Sequence, residues 1–195
     1  MTGYWWPARP PGWPPPDLLV DFLAAGPPPV FLEFGSMTPN HERLDDVITS
    51  AVKRAGVRAV VQSGWAELGA AGDDILLVDD VPHDWLFART AAVVHHAGAG
   101  TTGAGLRAGV PAVPVPVLVD QPFWAYRLHR LGVAPPPLPL PALTADTLTD
   151  ALRSCLDRPT CRTRATELAH RIRADDGPAA VLSLITQLEG IRGQH

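Results

Sequence analysis

Short, nearly uninterrupted apolar runs punctuate the chain, and between them lie stretches whose apolar positions recur with a helical period. The runs Pro29–Phe34, Val57–Gln62, Ile75–Val78, Ala91–His95 and Ala112–Val115 predict strands, buried on both faces because no polar residue alternates within most of them. Leu18–Leu23 predicts a short helix and Glu42–Ala55 an amphipathic one. The segment DDVPHDW after the third strand reads as a turn. The glycine-rich stretch after His95 leads into a helix that continues from Leu106 to Gly109, and Phe123–Leu131 predicts another helix behind Asp120-Gln121-Pro122. Strands alternating with helices imply an α/β fold, a parallel sheet with right-handed crossovers and ligands beyond the carboxyl ends of the strands.

The pattern changes at both ends. Residues 1–16, MTGYWWPARPPGWPPP, cannot hold a helix or central strand, because proline removes backbone donors and restricts the residue before it. They read as an extended arm, either a disordered leader or a linker whose Tyr4, Trp5, Trp6 and Trp13 pack on the domain or on a neighbour. Beyond the loop Pro135–Pro141, three helical patterns follow from Thr144, with breaks near Pro159 and Gly177-Pro178.

Composition narrows the function. The 195 residues suit one globular domain, and 16 basic against 20 acidic residues give a net charge of −4, without the basic field that nucleic-acid or membrane binding requires. Arginine dominates the basic residues, with a single lysine at Lys53, and this reads as coding bias. Cys155 and Cys161 form neither a disulfide framework nor a C-x-x-C pair, as expected for a reducing cytoplasm. The apolar run Val110–Val119 is broken by three prolines, and Met1–Pro16 lacks the charged start and apolar middle of a signal peptide, so a cytoplasmic location is expected.

Candidate chemistry gathers where strands end. Gly35-Ser36 and Ala97-Gly98-Ala99-Gly100-Thr101-Thr102 are glycine-containing turns that allow close backbone approach. The second opens a helix whose free N–H groups and positive dipole end suit a phosphate or diphosphate, with hydroxyls from Thr101 and Thr102 and a further donor in His96. An ordinary helix cap and a structural histidine are the plain alternatives. Gly98, Gly100 and Gly103 also spell G-x-G-x-x-G, with Asp120 downstream as a ribose-binding acid. That dinucleotide reading fits less well, because the fingerprint normally opens the first βαβ unit, whereas three strands precede this one. Asp120 and Gln121 could cap a helix or hold sugar hydroxyls, since a carboxylate accepts and an amide both donates and accepts. Trp65 and the Val81-Pro82-His83 turn belong to the same rim, where Trp65 could stack on a base or fill the core. His95 and His96 point apart and lack a third ligand, so no metal is expected.

The succession FLEFGSM, VVQSGW, VDDVPHDWLF and VVHHAGAGTTGAGLRAGVPAVPVPVLVDQPFWAYRLHRLGVAP resembles the C-terminal, donor-binding half of family 1 glycosyltransferases of the GT-B fold. The likeness is to the branch of sterol glucosyltransferases and antibiotic-glycosylating enzymes, and it extends to GYWWP and DLLVDFLAAGPPPVF, which look like the stretch joining the two halves. It implies a Rossmann-like domain over residues 17–195 with a helical C-terminal tail, and an interdomain linker over residues 1–16. Ser36, His96, Gly98, Gly100, Thr101 and Thr102 would hold the diphosphate of a UDP- or dTDP-sugar. Trp65 and the backbone of Val81 would meet the base, and Asp120 and Gln121 the sugar. The chemistry implied is inverting transfer of a hexose to a lipophilic acceptor hydroxyl, with no metal or cofactor, because the helix dipole and hydroxyls stabilise the departing diphosphate. The catalytic base, a histidine paired with an aspartate, would come from an N-terminal acceptor-binding domain. No residue of this chain would be catalytic, and peripheral contact with lipid acceptors would follow. A non-catalytic nucleotide-sugar-binding module working with a separately encoded partner is the alternative from a different class, and an NAD-binding Rossmann protein is a further one. Three departures stand out: Ala97 where glycine is frequent, Glu33 where a small residue precedes the FGS turn, and Gly103 with Gly105 inside the helix.

Overall fold

A computed structural model describes residues 4–6, 9–35, 41–63 and 72–192. Its centre is a parallel sheet of β1 (Val30–Glu33), β2 (Ala59–Gln62), β3 (Ile75–Val78), β4 (Ala92–His95) and β5 (Ala112–Pro114), in the order β3-β2-β1-β4-β5. Around it lie α1 (Asp17–Ala24), α2 (His41–Ala55), α3 (His83–Leu86), α4 (Ala99–Ala108) and α5 (Gln121–Arg130), followed by α6 (Ala145–Leu156), α7 (Pro159–Arg173) and α8 (Gly177–Arg192). The expected Rossmann-like sheet with a helical C-terminal end is what the chain forms. Every predicted strand is present, shortened by one or two residues where proline or a turn intervenes. The DDVPHDW turn holds the one-turn helix α3, which Pro82 starts and a 3₁₀ turn over Phe87–Arg89 extends.

Strand β1 explains why its residues are apolar in both registers. Val30 and Leu32, with Phe34 just beyond, face a core shared with Leu44, Ile48, Val52, Leu148 and Leu152 of α2 and α6, whereas Phe31 faces Leu86, Phe87 and Leu19 on the other side. Fully burying a side chain of this size contributes about 1.5–3 kcal/mol, so the central strand is the best-anchored element. Its last residue, Glu33, is the exception: a carboxylate only 8% exposed in an otherwise apolar strand.

The order of strands reverses between β1 and β4, which pair in register from Val30 with Ala92 to Glu33 with His95. This is the topological switch point, where the crossovers leave in opposite directions and open a crevice beyond the strand ends.

Helix α4, which starts at that crevice, is held on several sides. At its C-terminus Gly109 adopts φ +76°, and Arg173 of α7 donates to the carbonyls of Arg107 and Ala108. Along its flank Tyr4 donates to the Ala99 carbonyl at 3.0 Å and lays its ring where a Cβ on Gly103 would come within 3.0 Å. Trp6 stacks on Tyr4 and receives the Arg107 guanidinium over its ring. Further along the arm, Arg9 pairs with Asp84 at 2.9 Å and Trp13 meets Trp85 edge to face. Arg43, Arg58, Arg153 and Arg162 likewise donate to backbone carbonyls distant in sequence, so several arginines act as tethers between elements. No described helix is long and apolar enough to cross a membrane.

Candidate functional site

The site grows from two turns that face each other across the switch point. After β1 the chain turns at Gly35 with φ +70°, and after β4 it turns at Ala97 with φ +63°, a left-handed conformation that costs an alanine about 1–2 kcal/mol. His95 stabilises the second turn: its Nδ1 accepts the N–H of Ala97 at 3.1 Å. That acceptor role requires a neutral ring with its proton on Nε2. Burial agrees, since it pulls the His95 pKa down to about 4, with Glu33 pushing the other way and His96 and His83 adding to the drop.

His96 lies between the two turns. A Cβ on Gly35 would come within 3.2 Å of its ring, and one on Gly98 within 2.4 Å of its Nε2. Both positions therefore require glycine, Gly98 on contact grounds alone. The imidazole thus presents its Nε2 edge to Gly98, the N-cap of α4, whose first helical residues Ala99, Gly100 and Thr101 have N–H groups with no intrahelical acceptor. Nothing lies within 4 Å of a Cβ built on Gly100, so the first turn of the helix is open on that side. These are the features that an anion-binding helix start requires.

Behind His96 is a buried polar cluster. Glu33 Oε1 accepts the Thr101 hydroxyl at 2.6 Å and lies 3.5 Å from His96 Nδ1, in ion-pair range and just beyond a well-formed hydrogen bond. Glu33 Oε2 is 3.4 Å from Nε2 of His83, whose ring stacks on Phe87. Burial alone would raise the Glu33 pKa, but the contacts from His83, His96 and Thr101 outweigh it and hold the carboxyl well below the usual range. Glu33 is therefore held as an anion by the groups around it. The Thr101 hydroxyl, expected as a phosphate donor, is spent on Glu33, which leaves the backbone N–H as that residue's open donor. Thr102 is buried, and its hydroxyl has no hydrogen-bond partner among the described residues.

Asp120, Gln121 and Val81 follow other strands of the same sheet. Strand β5 runs parallel to β4, so the loop to Asp120 and Gln121 leaves the sheet from the same edge. Gln121 is buried, and its carboxamide oxygen accepts the N–H groups of Val117 and Leu118 at 2.8 and 3.0 Å, which shapes the loop and leaves the NH₂ as its donor. Asp120 stands at the N-cap of α5 without capping it; its exposed carboxylate takes the Trp124 indole N–H at 2.9 Å. The loop before it strains Val119 to φ +58° with the side chain outward. Val81 is buried and turns its side chain into the core. Ser36 and Trp65 lie outside the described residues. Among the described residues no group of three or more acidic, histidine or cysteine side chains is arranged to hold a metal ion. Sequence reasoning missed the roles of Glu33, His83 and His95 together; the signal available was one charged residue closing an otherwise apolar strand.

Residues 45–188 match the family model of the erythromycin biosynthesis protein CIII-like C-terminal domain. The chain belongs to this family of glycosyltransferase C-terminal domains. Within it, this chain is 42% identical over 189 residues to the O-mycaminosyltylonolide 6-deoxyallosyltransferase of Streptomyces fradiae, a match covering 96% of this chain and 44% of that protein. It is 41% identical over 172 residues to a sterol 3-beta-glucosyltransferase of Arabidopsis thaliana, covering 86% of this chain and 27% of the relative. Among solved structures it resembles the glycotransferase of kitacinnamycin, with a TM-score of 0.78 and 24% identity over 96% of this chain and 48% of that one. It also resembles a Medicago truncatula glycosyltransferase complexed with UDP-glucose, with a TM-score of 0.69 and 20% identity over 90% and 43% of the two chains. The chain thus spans less than half the length of these relatives.

Proposed function

We propose that this domain binds the nucleotide-sugar donor of an inverting glycosyltransferase and stabilises the departing diphosphate. The observation that carries the reading is the position of His96: its Nε2 edge lies against the N-cap of α4, beside three free backbone N–H groups, at the switch point of the sheet. A diphosphate there meets the positive end of a helix whose far end and flank are pinned, so its donors are pre-organised for charge that grows as the glycosidic bond to the donor breaks. Asp120 and the Gln121 NH₂ group, on the loop after β5, are offered to the sugar hydroxyls, and the turn at Val81 to the base. The relative solved with UDP-glucose supports a UDP-sugar, and the relatives named for transfer to sterols and to O-mycaminosyltylonolide support a lipophilic acceptor.

The reading assigns acceptor binding and the catalytic base to an N-terminal domain, so the domain described here binds nucleotide and by itself transfers no sugar. The exposed Leu182, Leu184, Ile185 and Leu188 of α8 offer that partner an apolar surface. Calorimetric titration with UDP, dTDP, UDP-glucose and NADH tests the proposal. Binding of a pyrimidine diphosphate, weakened at least tenfold by Gly98→Ala, supports it, because the new Cβ must displace His96. NADH binding in preference to UDP contradicts it.

A further inference from the structure

We propose that Glu33 is a positioning residue for the donor: its carboxylate accepts from Nδ1–H of His96, so that His96 meets the diphosphate through Nε2–H as an imidazolium, and donor binding takes up a proton. The inference rests on the donor-site reading above and goes beyond it by naming the charge state in which the site works and the residue that sets it.

The argument is one of counting protons. A neutral imidazole carries one N–H, and the other nitrogen is an acceptor. Nδ1 of His96 is buried and 3.5 Å from a carboxylate oxygen that can only accept, so the first proton belongs on Nδ1. The neutral ring then turns a lone pair at Nε2 toward the space before α4, where an acceptor faces the oxygens of the diphosphate. Only a second proton, on Nε2, converts that edge into a donor. The complex therefore has a hydrogen-bonded series, Glu33 carboxylate to Nδ1–H and Nε2–H to phosphate oxygen, in which the cation lies between two anions.

The other groups around His96 support this assignment. From β1 comes Glu33 itself, from α3 comes His83 on the second oxygen of Glu33, and from β4 comes His95, neutral because its Nδ1 accepts from Ala97. The first turns of α4, residues 99–106, carry no titratable side chain, and Thr101 donates to the same Glu33 oxygen that faces His96. The carboxylate is thus fixed in place by a hydroxyl that cannot titrate away, with its charge directed at the two histidines. The same placement explains how an acid is tolerated behind an anion site: it is separated from the ligand by the ring it charges.

The test is calorimetric titration of the chain with UDP-glucose, and in parallel dTDP-glucose, in buffers of different ionisation enthalpy. Nucleotide sugars are used because their diphosphate has no group titrating near neutrality. The expected result is uptake of a proton on binding that grows toward one per site as the pH rises from about 6.5 to 8.5, with affinity falling by up to about tenfold per pH unit at the upper end. Glu33→Gln, which keeps the shape and removes the charge, is expected to reduce the uptake and to move the pH slope to lower pH, because the diphosphate alone then favours the charged ring. His83→Gln is expected to keep the uptake. An effect of Glu33→Gln on affinity with the uptake and slope intact would assign Glu33 a purely structural role and overturn the proposal. Binding by the unaltered chain without proton uptake would also overturn it, whatever the variants do, and would leave the donor-site reading standing. Failure of both nucleotide sugars to bind would remove that reading and this inference with it.

Discussion

Thr101 donates its hydroxyl to the buried carboxylate of Glu33 across 2.6 Å, and so ties the first turn of α4 to the end of β1. The two residues are 68 positions apart in sequence, yet the pairing of β1 with β4 brings their strand ends side by side. The tie fixes the helix start at the switch point from below, as Arg173 fixes its other end and Tyr4 its flank.

Removing the tie should destabilise the fold. Thr101→Val keeps the shape and leaves a buried charge with one donor fewer, an effect expected at about 1.5–3 kcal/mol because the acceptor is ionised. Urea unfolding of the variant should show a lowered midpoint with an unchanged slope; an unchanged midpoint would mean that the histidines alone satisfy Glu33.

Acid should weaken the domain before its carboxylates titrate. His95 has a folded pKa of about 4 against an unfolded value near 6.5, so between these values the unfolded chain holds more protons and stability falls as the pH falls. Protonation also removes the acceptor that holds Ala97. The contribution of the depressed Glu33 carboxylate is present above its unfolded value, near 4.3, and is lost only at lower pH, so the interval from about pH 6.5 to 5 reports on His95. Chemical unfolding across that interval should show declining stability, and His95→Asn should flatten the decline; an equal slope in the variant would assign the effect elsewhere.

The left-handed turn after β4 should accept glycine. Ala97→Gly relieves a backbone strain of about 1–2 kcal/mol, partly offset by the greater freedom of glycine in the unfolded chain. The expected outcome is a thermal midpoint unchanged or raised by a few degrees. A clear fall would show that the Ala97 methyl, which is fully buried, contributes more by packing than its conformation costs.

How far these relationships could be read from the sequence depends on whether they are local. The strands were legible because residues such as Val30–Leu32 and Val93–Val94 are buried on both faces and form continuous apolar runs. The breaks at Pro159 and Gly177 were legible because backbone chemistry alone makes them, and they open α7 and α8 as expected. Helix α3 was not, since one turn between Pro82 and Phe87 is too short to show a period. Gly103 read as a weak point in a helix, and only the docking of Tyr4 from 99 positions away shows what its missing side chain leaves room for. The Thr101 hydroxyl was read as a ligand donor for the same reason: nothing near it in sequence announces a carboxylate. Gln121 divides between the two cases, its polarity being evident from sequence and the use of its oxygen on Val117 and Leu118 only from structure.

The central claim, that the start of α4 holds the donor diphosphate, is tested most directly by amide NMR of the chain during titration with UDP and, separately, with uridine. The account predicts that the N–H resonances of Gly98, Ala99, Gly100 and Thr101 and the ring of His96 shift with UDP and not with uridine. Shifts confined to another basic surface, such as the groove lined by Arg130, Arg164 and Arg171 between α5 and α7, would contradict it.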